Sequence, residues 1–469
     1  MKALTGEDIV TRASEMGICL LLCLAPLLSR SPAWDIGGLL LLGLALVFWG
    51  GLQRRTTRPL TTRPQDQNTP LPVLWSVVCG LWSFRLERAL IVGLFAWLVA
   101  SAAASPDVWR GLGHVALLGG CVLCVVLSRG AIAAPGRGRR LTGAAVWGGA
   151  WVSLVGVAEY YGVWTPAQPY PGRVVAAFTN PNDLGVYLCA LLPAGALLLL
   201  SDLRGSRKAA ALVGTVLSYT CLLMSGSRGA WWAGLCAGGA VVAGGWRMGL
   251  GGALSRNRRW ALALFVSLAG VTILYSMPSP FKTPTAVSIP DRFMSSGEIA
   301  QGIARPEAAV RSTSVGHRYL IWSAARSMMA RHPVLGVGPG FFDEVYPALR
   351  DRLLREVRMF DQLDAEKRRE DVLHAHNDYL EMGAEVGAPG LLLFGAMIGM
   401  WVARAWRQAR RMEGEEDRLV RLGLLASVAA VLVDALVSYP LHIPAVAVLF
   451  WSFLGMGMGR ETYPPSPLS

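Results

Sequence analysis

The chain has 469 residues, of which 53% are hydrophobic and 16% charged, and its mean hydropathy is +0.42. This composition excludes a soluble globular domain and points to a membrane protein. The net charge of +13 invites a nucleic-acid reading. However, the basic residues fall in short clusters between long apolar runs, as in loops facing an anionic leaflet, so membrane lipids are the expected partner and nucleic acid is not.

In chain order, apolar length and flanking charge predict spans at 16–29, 35–52, 89–104, 109–128, 141–160, 184–200, 209–224, 229–246, 260–277, 389–404, 419–437 and 441–459. The first is read as a retained helix and not as a signal peptide, because a second span follows at once. The apolar stretch 71–104 is interrupted by Arg85, Glu87 and Arg88. We take 71–84 as an interfacial helix and 89–104 as the crossing, with two crossings as the alternative. All eight cysteines lie in apolar runs. Cys121 and Cys124 have redox or zinc spacing but no nearby histidine, which fits helix packing.

The fold class is therefore an all-α polytopic transmembrane bundle of about twelve spans. It divides into an N-terminal bundle (1–277), a large partly helical outer loop (278–388) and a C-terminal bundle (389–469). With the N-terminus inside, the basic clusters at 54–63, 129–140, 204–208, 247–259 and 404–411 all fall inside. Segments 159–183, 225–228, 278–388 and 438–442 then emerge on one outer face.

The outer loop opens with a Pro/Ser/Thr-rich piece, Met277 to Pro290, expected to be irregular. Residues 314–331 read as an amphipathic helix with Tyr319, Trp322, Ala325, Met328 and Met329 on one stripe, stopped by Pro333. The turn from Leu335 to Phe342 contains a Gly-x-Gly, but it lacks the preceding strand and the lysine of a phosphate-binding loop. Residues 343–371 carry mixed charge and read as a solvated helical face.

The stretch Leu373-His374-Ala375-His376-Asn377-Asp378-Tyr379-Leu380-Glu381 places two imidazoles before a helix start. Asp378 and Glu381 have capping-box spacing, with Asp378 as the cap and Glu381 reaching back. His376 would then sit at the positive mouth of a helix, where a neutral imidazole is favoured and ready to take a proton. The alternative is a surface loop with two solvated histidines.

Other outer-face features accompany it. Phe178-Thr179-Asn180-Pro181-Asn182-Asp183 is a polar turn that offers side-chain amides or simply caps the next helix. Ser225-Gly226-Ser227-Arg228-Gly229-Ala230 puts an arginine between two spans on the outer side, which runs against the positive-inside bias. A phosphate or pyrophosphate suits its planar donors, and snorkelling to headgroups is the alternative. Arg318 begins the amphipathic helix and offers either a second cation or an ordinary surface arginine. His114, His317 and His332 fit structural roles. His442, beside Tyr439 and Pro440, could line the same cavity, and Asp434 is an intramembrane carboxylate worth the same attention.

Taken in order over about residues 170–400, these motifs resemble the O-antigen ligase and O-antigen polymerase superfamily. The residues that carry the resemblance are Phe178-Thr179-Asn180-Pro181-Asn182, Ser225 to Ala230, Arg318 with Trp322, His332 to Gly338, and His376-Asn377-Asp378-Tyr379-Leu380-Glu381 followed by Glu385, Gly387 and Gly390. The resemblance implies a bacterial inner-membrane enzyme working at the periplasmic face. Such an enzyme transfers a glycan en bloc from undecaprenyl pyrophosphate to an acceptor hydroxyl, for which a lipid A-core is the favoured candidate. His376 would be the catalytic histidine, and Arg228 and Arg318 would hold the pyrophosphate. Asn180, Asn182, Ser227, Asn377 and His374 would complete the substrate site, with His374 a second candidate base.

The chemistry of the residues agrees. The acceptor hydroxyl needs a base, and the leaving pyrophosphate needs cations, which two arginines provide. No Asp-x-Asp pair suggests a divalent ion, so neither a metal nor a cofactor is expected. Ligase, polymerase and protein O-oligosaccharyltransferase share this donor chemistry and are not separated by these residues. A transporter would place ionisable groups near the bilayer centre, whereas here they gather at one face. A non-catalytic assembly protein would leave the His376, Arg228 and Arg318 constellation without a purpose.

Overall fold

A computed structural model describes residues 85–132, 136–166, 168–277, 290 and 313–459. The predicted spans 16–29 and 35–52, the interfacial helix 71–84, the basic loop 54–63, most of the Pro/Ser/Thr-rich piece after Met277, and Cys19, Cys23 and Cys79 lie outside the described residues. Within the described residues every regular element is helical and there is no β-strand.

The first helices are α1 (Arg85–Ala103), α2 (Val108–Ala131) and α3 (Arg137–Tyr160). A long connection leads to α4 (Pro181–Leu200), followed by α5 (Gly205–Ser225), α6 (Arg228–Arg247), the short α7 (Gly251–Arg256) and α8 (Arg258–Ser276). Next come α9 (Thr313–Arg331), α10 (Phe342–Glu356), a 3-10 turn (Arg358–Gln362) and α11 (Ala365–Arg369). The chain continues with α12 (Asp378–Arg411), α13 (Glu415–Asp434), a second 3-10 turn (Pro440–His442) and α14 (Pro444–Met458).

Seven of these helices, α1 to α5, α8 and α12, are long and apolar enough to cross a membrane. Helices α6 and α13 coincide with predicted spans and have 20 residues each, but they are not among these seven. The predicted span 441–459 is shorter than expected. Its helix has 15 residues, about 22 Å at 1.5 Å per residue, because Pro440 opens a separate 3-10 turn and Pro444 fixes the helix start.

Helix α4 lies at the centre, packed against α13, α5 and α6, while α14 packs on α2 and α1 on α12. Small residues let the backbones approach: a Cβ on Gly423 of α13 would lie 3.1 Å from the Ala194 Cα of α4. Helix α8 buries none of its residues, and it presents Leu262, Phe265, Val266 and Ile273 outward as a lipid-facing helix would. Glu87, an interruption in the sequence pattern, proves to be a buried clasp. It accepts from Trp401 Nε1 at 3.0 Å and pairs with Arg404 and with Arg129 at 3.5 Å, tying α1, α2 and α12 at one end of the bundle.

The opposite end carries α9 to α11. The buried stripe of α9 is Leu320, Ile321, Ala324, Ala325 and Met328, and Tyr319 and Trp322 are only half-buried. The predicted aromatic stripe is thus rotated, because α9 is covered from two sides: by α10 and α12, and by the turn carrying Phe360 and Leu363. Residues 343–371 are solvated on one face as predicted, but Phe342, Tyr346 and Leu349 bury the other.

The glycine-rich turn is a structural joint. Helix α12 breaks at Gly387 (φ 73°, ψ 175°), two residues before Pro389, and the turn fills the break. Val337 N donates to Ala384 O at 3.0 Å, Gly338 N to Glu385 O at 2.9 Å, and Ala388 N to Pro333 O at 3.0 Å. Helix α1 closes the same joint, with Ser101 Oγ donating to Leu335 O at 2.6 Å and Trp97 Nε1 to Val386 O at 3.0 Å. Carbonyls freed by the kink are thereby satisfied, as a non-aqueous setting requires.

Candidate active site

The site forms where the start of α12 meets the α13–α14 turn. The predicted helix start is correct, but its chemistry is redistributed. The cap is Asn377, whose Oδ1 accepts from Leu380 N at 2.9 Å, while its Nδ2 donates to Leu436 O at 2.9 Å. Asp378 faces the α13–α14 turn, where its oxygens accept from Leu441 N at 3.0 Å and meet His442 Nδ1 at 2.9 Å. Glu381 reaches back beyond the cap, accepting from Ala375 N at 2.6 Å and meeting His374 Nδ1 at 2.8 Å. Pairing with a turn some sixty residues further on draws Asp378 away from the capping role its spacing suggests. Asn377→Ala should cost about 0.5–2 kcal/mol, the range for a lost N-cap, read as a lowered thermal midpoint in detergent.

His376 adopts a left-handed backbone conformation (φ 51°), shared among described non-glycine residues only with Ala176. Such a conformation costs about 1–3 kcal/mol and persists only where neighbours enforce it. Here the enforcement is visible on both sides, as Ala375 N is bound to Glu381 and Asp378 N donates to Ala435 O at 3.0 Å. The imidazole meets the Tyr439 ring edge-on at 5.0 Å. Tyr439 also stacks on His374 at 4.6 Å, and His374 lies 4.5 Å from His442.

Burial, then the charge of Arg318, pushes the His376 pKa down to about 3, so the ring is neutral. Arg318 is itself largely enclosed. Burial lowers its pKa, Asp434 opposes that shift, and the charge of Arg228 adds to it. Arg228, Arg318, His376 and Asp434 therefore share one electrostatic neighbourhood, and both guanidiniums remain charged. Helix α6 delivers Arg228 at its first residue, and a Cβ on Gly229 would come within 2.9 Å of Asp434 Oδ1. Burial also lowers the pKa of His317, against the pull of Glu370. That histidine is a buried residue of α9 itself.

The Asn-Pro-Asn turn sits beside this neighbourhood and is used locally. Asn180 Oδ1 caps α4 through Asn182 N at 2.8 Å, and Asn182 Oδ1 accepts from Arg173 at 2.8 Å. Arg173 also donates to Ser225 O at 2.6 Å, so it joins the turn to the end of α5, just ahead of α6. Ser227 is buried at that start, with its Cβ in the space left by Gly185. Sequence reasoning passed over Arg173, the Glu381 hub and the Asp378 pairing with His442. An unexplained cation in the outer connection before α4 was the signal available for Arg173.

Several apolar spans and a polar constellation gathered at one end define a multi-pass membrane protein with an enzyme-like site. Residues 213–395 match the family described as O-antigen ligase, a stretch that contains Arg228, Arg318, His374 and His376. The resemblance carried by the motifs is thus borne out over this stretch, and the chain is similar there to the O-antigen ligase family. No individual curated protein matches the sequence.

Proposed function

We propose that the protein transfers a glycan en bloc from undecaprenyl pyrophosphate to an acceptor hydroxyl at the periplasmic face of the bacterial inner membrane, with a lipid A-core as the favoured acceptor. The observation that carries this reading is the neutral His376 within the charge field of Arg318, which in turn feels Arg228. The acceptor oxygen attacks the anomeric carbon, its proton passes to His376, and the bond to the pyrophosphate breaks. Arg228 and Arg318 hold the departing charge without a metal on the phosphates. Burial is the larger cause of the low His376 basicity and the Arg318 charge the next; a pyrophosphate on Arg318 offsets the second of these, which moves the ring toward proton uptake. In this reading Asn180 and Asn377 act through the helix starts they cap, Asn182 and Ser227 through the turn joined by Arg173, and His374 at the edge of the site.

The test is glycan transfer in a cell lacking its own ligase, scored as polymer attached to lipopolysaccharide. Restored attachment by the intact chain, lost in Arg228→Ala and Arg318→Ala at matched membrane levels, supports ligation. Longer polymer on the lipid carrier without attachment identifies a polymerase instead, and unchanged glycans throughout reject transfer to either acceptor.

A further inference from the structure

We propose that His374, Glu381 and His442 form a binding site for a divalent transition-metal ion, Zn²⁺ foremost, with Asp378 as its supporting carboxylate. One ligand atom from each of the three lies within 4.8 Å of the others. Glu381 Oε1 is 2.8 Å from His374 Nδ1 and 3.5 Å from His442 Nε2. A tetrahedral ion with bonds of about 2.0–2.2 Å separates its ligands by about 3.3 Å, and these two spacings bracket that value. His374 lies in a partly exposed loop that can shift to close the third spacing.

The orientation of the ligands is already fixed. Asp378 meets His442 Nδ1 at 2.9 Å and its other oxygen is held by Leu441 N. That contact places a proton on Nδ1 and turns Nε2 toward Glu381, the carboxylate–histidine–metal arrangement that orients metal-bound imidazoles. Glu381 is anchored in the same way, with Oε2 on Ala375 N and Oε1 presented to both rings.

Charge points the same way. Asp378 and Glu381 are 4% and 2% exposed, and two buried carboxylates need cationic compensation. The rings of His374 and His442 lie 4.5 Å apart, so they cannot both be protonated without repulsion. A divalent ion balances both carboxylates with both rings neutral. Two imidazoles and one carboxylate select zinc, cobalt or nickel over calcium or magnesium, and they leave an open position. The absence of an Asp-x-Asp pair is silent about this site, whose ligands come from the loop before α12, from α12 and from the turn before α14. The ion would pin residues 374–376 to the α13–α14 turn and so hold the His376 backbone in its left-handed conformation.

The experiment uses the full chain purified in detergent, stripped with a chelator, supplied with CoCl₂ or ZnCl₂ and desalted. Metal content per chain and the visible absorption of bound Co²⁺ are the readouts. The expected result is about one ion per chain, with affinity lowered about 10–100-fold in Asp378→Asn. Retention should be lost in Glu381→Gln and His442→Ala and unchanged in His332→Ala, an exposed histidine outside the cluster. Stripped intact protein that takes up no Co²⁺, or uptake that persists in His442→Ala and Glu381→Gln, overturns the proposal. In either case a single proton shared between His442 and Glu381 occupies the place of the ion. The intact chain alone can give the first negative, so a variant that misfolds does not decide the matter. Binding needs no glycan, so the outcome is independent of the transfer reading.

Discussion

Replacing His376 by alanine should lower glycan transfer about 10²–10⁴-fold, the contribution of a positioned general base, while the protein still reaches the membrane. The difficulty is to separate chemistry from backbone, because His376 occupies a left-handed conformation. Alanine tolerates that region poorly, whereas asparagine and glycine enter it readily. His376→Asn and His376→Gly should therefore accumulate and melt like the intact chain and yet transfer no better than His376→Ala. Equal membrane levels with three inactive variants assign the loss to the imidazole. Transfer by His376→Asn within about tenfold of the intact chain would remove the base role and leave His376 as a turn residue.

Gly387→Ala should destabilise the protein by at least about 3 kcal/mol, seen as a sharply lowered thermal midpoint and poor accumulation in membranes. Gly387 lies at φ 73°, ψ 175°, a region essentially confined to glycine, where other residues incur about 1–3 kcal/mol. A Cβ would also stand 1.9 Å from Val334 O, a backbone atom that side-chain rotation cannot move aside. The turn would have to withdraw, breaking the hydrogen bonds of Val337, Gly338 and Ala388. Those bonds satisfy the Ala384 and Glu385 carbonyls and the Ala388 N–H opened by the kink, so their loss exposes buried polar groups as well. Gly395→Ala is the control, since nothing lies near its Cβ. It should be neutral or slightly stabilising, because alanine is the better helix former. Comparable melting of both variants would show that the joint does not bear on stability.

The joint also marks where sequence patterns stop being informative. The Gly-x-Gly of residues 336–338 resembles a phosphate-binding loop as a string, and only the missing strand before it and the missing lysine argued otherwise. Its purpose, to insert backbone into a helix break, depends on a partner some fifty residues away. Glu87 is similar: within its own run it interrupts an apolar span, and only the arrival of Arg404, Arg129 and Trp401 from other helices makes its charge affordable to bury.

Helix placement was legible because it follows from local chemistry. Apolar length fixed α1 to α6, α8 and the crossing part of α12 to within a few residues, and Pro333 and Pro389 marked where helices end or bend. Arg228 stood out as a cation between apolar runs, and His376 as an imidazole ahead of a helix start; the structure puts both in the electrostatic neighbourhood of Arg318. The tertiary structure decided how the polar groups pair. Asp378 left its capping role for His442, Asn377 took the cap, and Glu381 became a hub for two imidazoles. The physical reason is range: helix formation is governed by residues within a turn or two of one another, whereas a buried carboxylate pairs with whatever cation or donor the packing of distant helices brings within about 3 Å.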